Sequence, residues 1–186
     1  MADLFVLIQG HHDELIAVLS DLATGPESEE HSPCEQKTMS SRLVMMASRH
    51  EAAEEQYLWP AVRRVVEGGE EMAVHALEQE STAKRLLHDL DRITPGNADF
   101  AALARQVSAA VHDHVTYEEA TVLPSLRLRM SPGEVERLGA RYARAHQAGP
   151  TRPHPLTPPR RSLLKSAGSA MALVDRTRDV LTRRGR

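Results

Sequence analysis

Residues 49–63 read RHEAAEEQYLWPAVR, and residues 113–127 read DHVTYEEATVLPSLR. Each stretch sets a histidine (His50, His114), a glutamate four positions on (Glu54, Glu118) and a proline ten positions on (Pro60, Pro124). Apolar residues repeated in this way would say only that two helices share a core, but here the polar residues repeat. In an α-helix, residues i and i+4 share one face, roughly 6 Å apart along the axis. Each stretch can therefore present one imidazole and one carboxylate to a common centre.

The apolar pattern around them predicts where that centre lies. In the first helical segment His12 completes the stripe Ile8, Leu15, Leu19, Leu22, and in the second His50 and Glu54 sit among Leu43, Ala47, Leu58 and Ala61. Glu80 fills the gap in Ala73, Leu77, Ala83, Leu87, while His114 and Glu118 are bracketed by Leu103, Val107, Ala110 and Thr121. Helical periodicity of this kind marks the buried face. Four segments thus aim ionisable groups at one interior. Buried carboxylates cost several kcal/mol each unless paired or bound to metal, and a whole domain is stable by only roughly 5–15 kcal/mol. A metal-free structural bundle, the alternative, has to bury Glu54, Glu80 and Glu118 without such a partner. Imidazole mixed with carboxylate, without thiolate, suits iron, manganese or zinc.

Punctuation gives the organisation. SPCE (32–35) and SPGE (131–134) each place serine at an N-cap, proline at the first helical position and glutamate where it completes a capping box. Gly68-Gly69 and Pro95-Gly96-Asn97 end helices. The predicted helices run near 2–23, 33–67, 70–93, 98–130 and 132–147, with kinks at Pro60 and Pro124 because apolar periodicity continues past both. The expected fold is an all-α, up-down four-helix bundle over residues 1–149. After Gly149, PTRPHPLTPPRR reads as an extended linker, and residues 161–182 as one further helix, docked or partly disordered.

Composition narrows the function. Aromatic residues are only 3 % of the chain, which leaves few strand-forming clusters. Residues 1–149 carry 14 Lys/Arg against 24 Asp/Glu, a net −10, and residues 150–186 carry 9 against 2, a net +7. The acidic body argues against nucleic acid as a main partner, while the basic tail could touch an acidic surface, on a protein partner the sequence does not identify. One cysteine, Cys34, excludes an intramolecular disulfide framework and fits a reducing, cytoplasmic setting. The start MADLFVLIQGHHDEL has too short an apolar run for a signal peptide's core, and no segment approaches the roughly 20 apolar residues of a membrane span.

The pattern His12, HEAAE (50–54), Glu80 and HVTYE (114–118), with LWP and VLP flanking and PTRPHP after the last bundle helix, resembles the hemerythrin-like HHE cation-binding family over about residues 1–155. The resemblance implies a four-helix bundle holding two non-haem, oxygen-bridged irons, with zinc or manganese as the second choice. By it, His12, His50 and His114 match terminal ligands, and Glu54 and Glu118 match carboxylates that can bridge the metals. Glu51 matches an acidic position that reaches metal in some relatives, but its helix position reads as a solvated face. Position 80 departs from the pattern, because the family has histidine there. Whether Glu80 is a ligand is left open at this stage. His75 and His88 lie off the stripe and read as surface residues, and His11 and His112 point away from the seam.

Two rival metal patterns fail on spacing. HEAAE lacks the second histidine of the zinc-protease HExxH, and ferritin-like bundles place the acid before the histidine. The sequence contains no Ser/His/Asp arrangement and no glycine-rich phosphate loop. The expected function is a module that binds or senses O2 or a related small molecule, peroxide or NO. A peroxide-decomposing enzyme at the same metals, or iron storage, is the alternative.

Overall fold

In a computed structural model that describes residues 3–24, 31–96, 98–154, 172–175 and 177–179, the chain is helical and, among those residues, has no strand. The elements in chain order are α1 (Leu4–Thr24), α2 (Pro33–Ala53), a π-helical turn (Glu54–Leu58), α3 (Trp59–Val65), α4 (Gly69–Arg92), α5 (Ala98–Tyr117), a second π-helical turn (Glu118–Val122), α6 (Leu123–Arg127) and α7 (Pro132–Ala148). α1 packs against α2 and α5, and α4 closes the ring by packing against the same two. That is the expected up-down bundle. α7 lies outside the ring, against α1 and α2.

Both predicted caps form. The Glu35 carboxylate accepts the Ser32 backbone N–H at 2.7 Å, and Glu134 accepts that of Ser131 at 2.9 Å. The chain leaves α3 through Gly68, whose φ of 69° is left-handed. A Cβ on the next residue, Gly69, would stand 2.3 Å from the Val62 carbonyl oxygen, so the start of α4 can lie against α3 only with glycine there.

At both prolines the helix continues through a local π-helical widening. Each is preceded by a π-helical turn, in which the Trp59 N–H reaches the Glu54 carbonyl and the Leu123 N–H reaches that of Glu118. Proline cannot donate to the carbonyl four residues back, and its ring crowds that carbonyl. Widening the preceding turn to an i→i+5 pattern gives the ring room and lets the helix continue, and such bulges recur at functional sites. Here both bulges begin at the repeated glutamates.

The apolar interior falls into two clusters. One gathers Leu4, Phe5, Ile8, Leu58, Trp59, Val62, Leu126 and Tyr142 around the starts of α1 and α4 and the ends of α3 and α6. The other gathers Leu15, Leu19, Leu22, Leu43, Leu87, Leu90, Phe100 and Val107 at the opposite end. Along the chain residues 12, 50, 80 and 118 lie between the two clusters, with 54 and 114 at their margins. The ionisable layer therefore has an apolar plug on either side.

Most of the predicted tail helix and linker, residues 155–171, 176 and 180–186, lies outside the described residues. Ala172–Asp175 and residues 177–179 are helical, and they dock. The Asp175 carboxylate accepts the backbone N–H groups of Thr151 and Arg152 and pairs with His154 at 3.1 Å. Arg152 reaches Asp91 near the end of α4 at 2.7 Å and Asp179 at 3.0 Å. A basic tail on an acidic body predicts only the Arg152–Asp91 pair. The remaining contacts described here come from Asp175 and Asp179, the tail's two acidic residues.

Candidate metal centre

The six predicted site residues come from four directions and meet. His12 is on α1, His50 ends α2, Glu54 and Glu118 open the two π-helical turns, Glu80 is mid-α4 and His114 is near the end of α5. All six are between 0 and 5 % exposed. His12 Nε2 stands 3.0 Å from Glu118 Oε2, and His50 Nε2 stands 3.0 Å from Glu54 Oε1. His114 Nε2 is 3.7 Å from Glu54 Oε2 and 3.5 Å from Glu118 Oε1. Each glutamate thus turns one oxygen toward each half of the layer, between histidines of different helices.

The residues fit a metal pair on an observation independent of their spacing. None of these close contacts has hydrogen-bond geometry. Both oxygens of Glu54 and of Glu118, and Nε2 of His12, His50 and His114, are buried with no hydrogen-bond partner. Such atoms are costly unless something satisfies them. They aim past one another at shared points, as donors around a cation do. One atom from each of His12, His50, Glu54 and Glu118 falls within 4.8 Å of the others, and so does one from each of Glu54, Glu80 and His114.

The histidines are oriented from behind. His12 Nδ1 lies 2.8 Å from Glu119 Oε1, and His50 Nδ1 lies 2.9 Å from the Tyr142 hydroxyl of α7. A partner on Nδ1 fixes the ring and leaves Nε2 free for metal. Burial by itself would lower the His12 pKa, but the Glu118 carboxylate 3.0 Å away takes it up to about 9. Burial likewise works to raise Glu54, yet His50 and His114 hold it well below the carboxylate range. Glu54 is thereby held ionised, whereas burial pushes the Glu80 carboxyl well above the ordinary carboxylate range, with Lys84 opposing.

Glu80 sits differently from Glu54 and Glu118. The Trp59 indole N–H donates to its Oε1, and Lys84 Nζ lies 3.4 Å from its Oε2. Lys84 also donates to Glu55 Oε1 and stands 4.0 Å from Glu51 Oε2. Burial pulls the Lys84 pKa down, but Glu80, Glu51 and Glu55 together drive it well above the ordinary lysine value. Glu51 corrects an expectation: it is 4 % exposed rather than on a solvated face, because Lys84 of α4 covers it. Burial pushes its carboxyl up to about 7, with Lys84 opposing.

His11 is a second correction. Expected to point away from the seam, it is half-buried against α7, stacked on His146 at 3.8 Å between ring centroids and 3.4 Å from the Tyr142 hydroxyl. Burial and the nearby His50 lower His11 to about 4, and burial and His11 lower His146 to about 3, so the stacked pair is neutral near pH 7. His75 and His112 are exposed and His88 is partly so, as read from the sequence. The residues that sequence reasoning missed are Lys84, Trp59, Glu119 and Tyr142. Only Lys84 carried a signal, standing four residues after Glu80 on the same helix face. Tyr142→Phe is expected to weaken metal binding by about 10–100-fold with the fold intact, as losses behind a ligating histidine do. Competition with a chromophoric chelator measures it, and unchanged affinity would show that Tyr142 only packs.

Comparison with known proteins agrees with this geometry. A sequence profile described as the hemerythrin HHE cation binding domain matches residues 3–126. A DNA nickase of Nostoc sp. (strain PCC 7120) is 31 % identical over 96 residues, 52 % of this chain and 27 % of that protein, so this chain spans only about a quarter of the nickase's length. An uncharacterized hemerythrin-like protein of Schizosaccharomyces pombe is 23 % identical over 142 residues, 76 % of this chain and 70 % of that protein. No solved structure matches at comparable significance. The matched span holds all six buried donors, and the chain belongs to the hemerythrin HHE cation-binding domain family.

Proposed function

We propose that this protein is a non-haem di-iron protein that binds or senses O2 or a related small molecule, peroxide or NO. The observation that carries the reading is the pair Glu54 and Glu118, each with two buried, unpartnered oxygens directed to different halves of one layer. Two irons, when bound, supply an open coordination position and exchangeable electrons. The protein's part is to hold them: His12 and His50 in one half, His114 in the other, with Glu54 and Glu118 shared. Glu119 and Tyr142 keep the Nε2 atoms turned inward. The two apolar clusters keep bulk water away, which strengthens every charge interaction inside.

A second reading, peroxide decomposition, is favoured by one feature. Glu80 and Glu51 add two buried carboxylates to the bridging pair, and anionic surroundings stabilise ferric iron. DNA nicking is not part of the proposal. A phosphodiester would have to reach donors that are at most 5 % exposed, through a body of net charge −10. Among the described residues no helix is long and apolar enough to cross a membrane, and the single, exposed Cys34 suits a cytoplasmic setting.

Metal analysis with an electronic spectrum tests the function. About two irons per chain are expected, with near-ultraviolet bands of an oxygen-bridged ferric pair and a reversible spectral change on cycling O2. Peroxide turnover that disappears with the iron would select the second reading, and protein purified with no iron and no affinity for it would overturn both. The proposed metal-binding domain is residues 1–149. Thr151, Arg152 and His154 bond to Asp91, Asp175 and Asp179 rather than to the six donors. Truncation after Pro150 is expected to leave the iron spectrum unchanged, and its loss would move the boundary into the tail.

A further inference from the structure

The two halves of the centre are unequal. In the His12/His50 half every facing donor atom lacks a hydrogen-bond partner: His12 Nε2, His50 Nε2, Glu54 Oε1 and Glu118 Oε2. In the other half His114 Nε2 and the remaining glutamate oxygens are likewise free, but Glu80 is not. Its two oxygens are held by the Trp59 indole and the Lys84 ammonium. Lys84, only 17 % exposed along its side chain, has Glu80, Glu55 and Glu51 around its Nζ. Three buried carboxylates around one positive centre is the arrangement a bound cation would have.

Resting on the reading of this layer as a two-ion centre, we infer that Lys84 is a built-in cation that competes with the second metal ion for Glu80, so that the halves load in sequence. The first ion enters the His12/His50 half, where a proton but no side-chain cation has to be displaced. The second, at His114, meets the Lys84 charge and finds the fourth nearby donor already bonded. It must share Glu80 with Lys84 or take it. Glu55 and Glu51 resist the departure of the ammonium, because each would be left buried without a cationic partner. Over a range of free metal concentration the protein then carries one ion, and it becomes a two-ion centre only above that range. Lys84 and Glu80 set the threshold.

Trp59 makes this measurable. It is the chain's only tryptophan, it donates to Glu80, and its ring lies 6.4 Å from that of His114. Metal-free protein is titrated anaerobically with Zn(II) and with Co(II), following Trp59 emission and, in parallel, competition with a chromophoric chelator. Two steps are expected, with dissociation constants at least about tenfold apart, and the emission should change mainly in the second. In Lys84→Met the second step should tighten at least about tenfold and merge with the first. Trp59→Phe, which frees Glu80 Oε1 without altering charge, should tighten it less, read by the chelator alone.

A single step of two equal ions in the native protein, or a second step unmoved in a folded Lys84→Met protein, would overturn the inference while leaving the two-ion centre standing. No binding of either metal would instead remove the centre itself. Should Lys84→Met fail to fold, the native titration and Trp59→Phe decide.

Discussion

Replacing Glu54 with alanine is expected to empty both halves of the centre and to lower the melting temperature of the metal-loaded protein by about 10–20 °C. Two ions, each at about a hundred times its dissociation constant, together stabilise the folded state by about 5.4 kcal/mol. A chain of this size shifts by roughly 2–4 °C per kcal/mol. Glu54 lies 3.0 Å from His50 and 3.7 Å from His114 through its two oxygens, so neither half keeps a full donor set without it. His50→Ala and His114→Ala should each lose the ion of one half and about half of the stabilisation. The metal-free proteins should behave differently. With chelator present, the gap between native protein and Glu54→Ala should shrink, because no ion is left to lose and what remains is the loss of the Glu54 charge beside His50 and His114. Glu54→Ala protein that keeps both irons, or native protein whose melting ignores the chelator, would defeat the assignment.

The buried cluster was legible where it is written along single helices. His50 with Glu54, and His114 with Glu118, follow the helical repeat, and His12 and Glu80 interrupt apolar stripes that would otherwise be continuous. Those are local signals, and all six residues meet in the structure. Contacts between helices were not legible. Glu51 was read as a solvated position because its own helix offers no reason to bury it, whereas the reason is Lys84 on α4. Tyr142 and His146 belong to α7, which packs outside the ring, so nothing in α1 or α2 announces that His11 and His50 face it. The prolines were recognised as interruptions, but sequence does not say how a helix will absorb one. Here the helix widens into a π-helical turn, and the widening places Glu54 and Glu118 at its first residue.

Lys84 also changes what the carboxylate at position 80 does to the metals. Counting ligands alone, Glu80 in place of histidine makes the centre one charge more negative, which should stabilise ferric iron and lower the reduction potential. The ammonium beside it, 3.4 Å from Glu80 Oε2 and shared with Glu55 and Glu51, offsets part of that charge. Each charge taken singly should then be visible. A unit charge acting over roughly 7 Å at an effective dielectric near 20 is worth about 2 kcal/mol, or ~100 mV for a one-electron couple. Glu80→His is expected to raise the potential of the iron-loaded protein by about that much, since it removes the negative partner and leaves Lys84 in place. Lys84→Met should lower it by a similar amount, and the double variant should return close to the native value. Potentiometric titration of variants shown to retain both irons measures all three. An unchanged potential in Glu80→His would mean that the pair is electrostatically silent at the metals. Single shifts that fail to cancel in the double variant would show that altered ligation, rather than charge, had moved them.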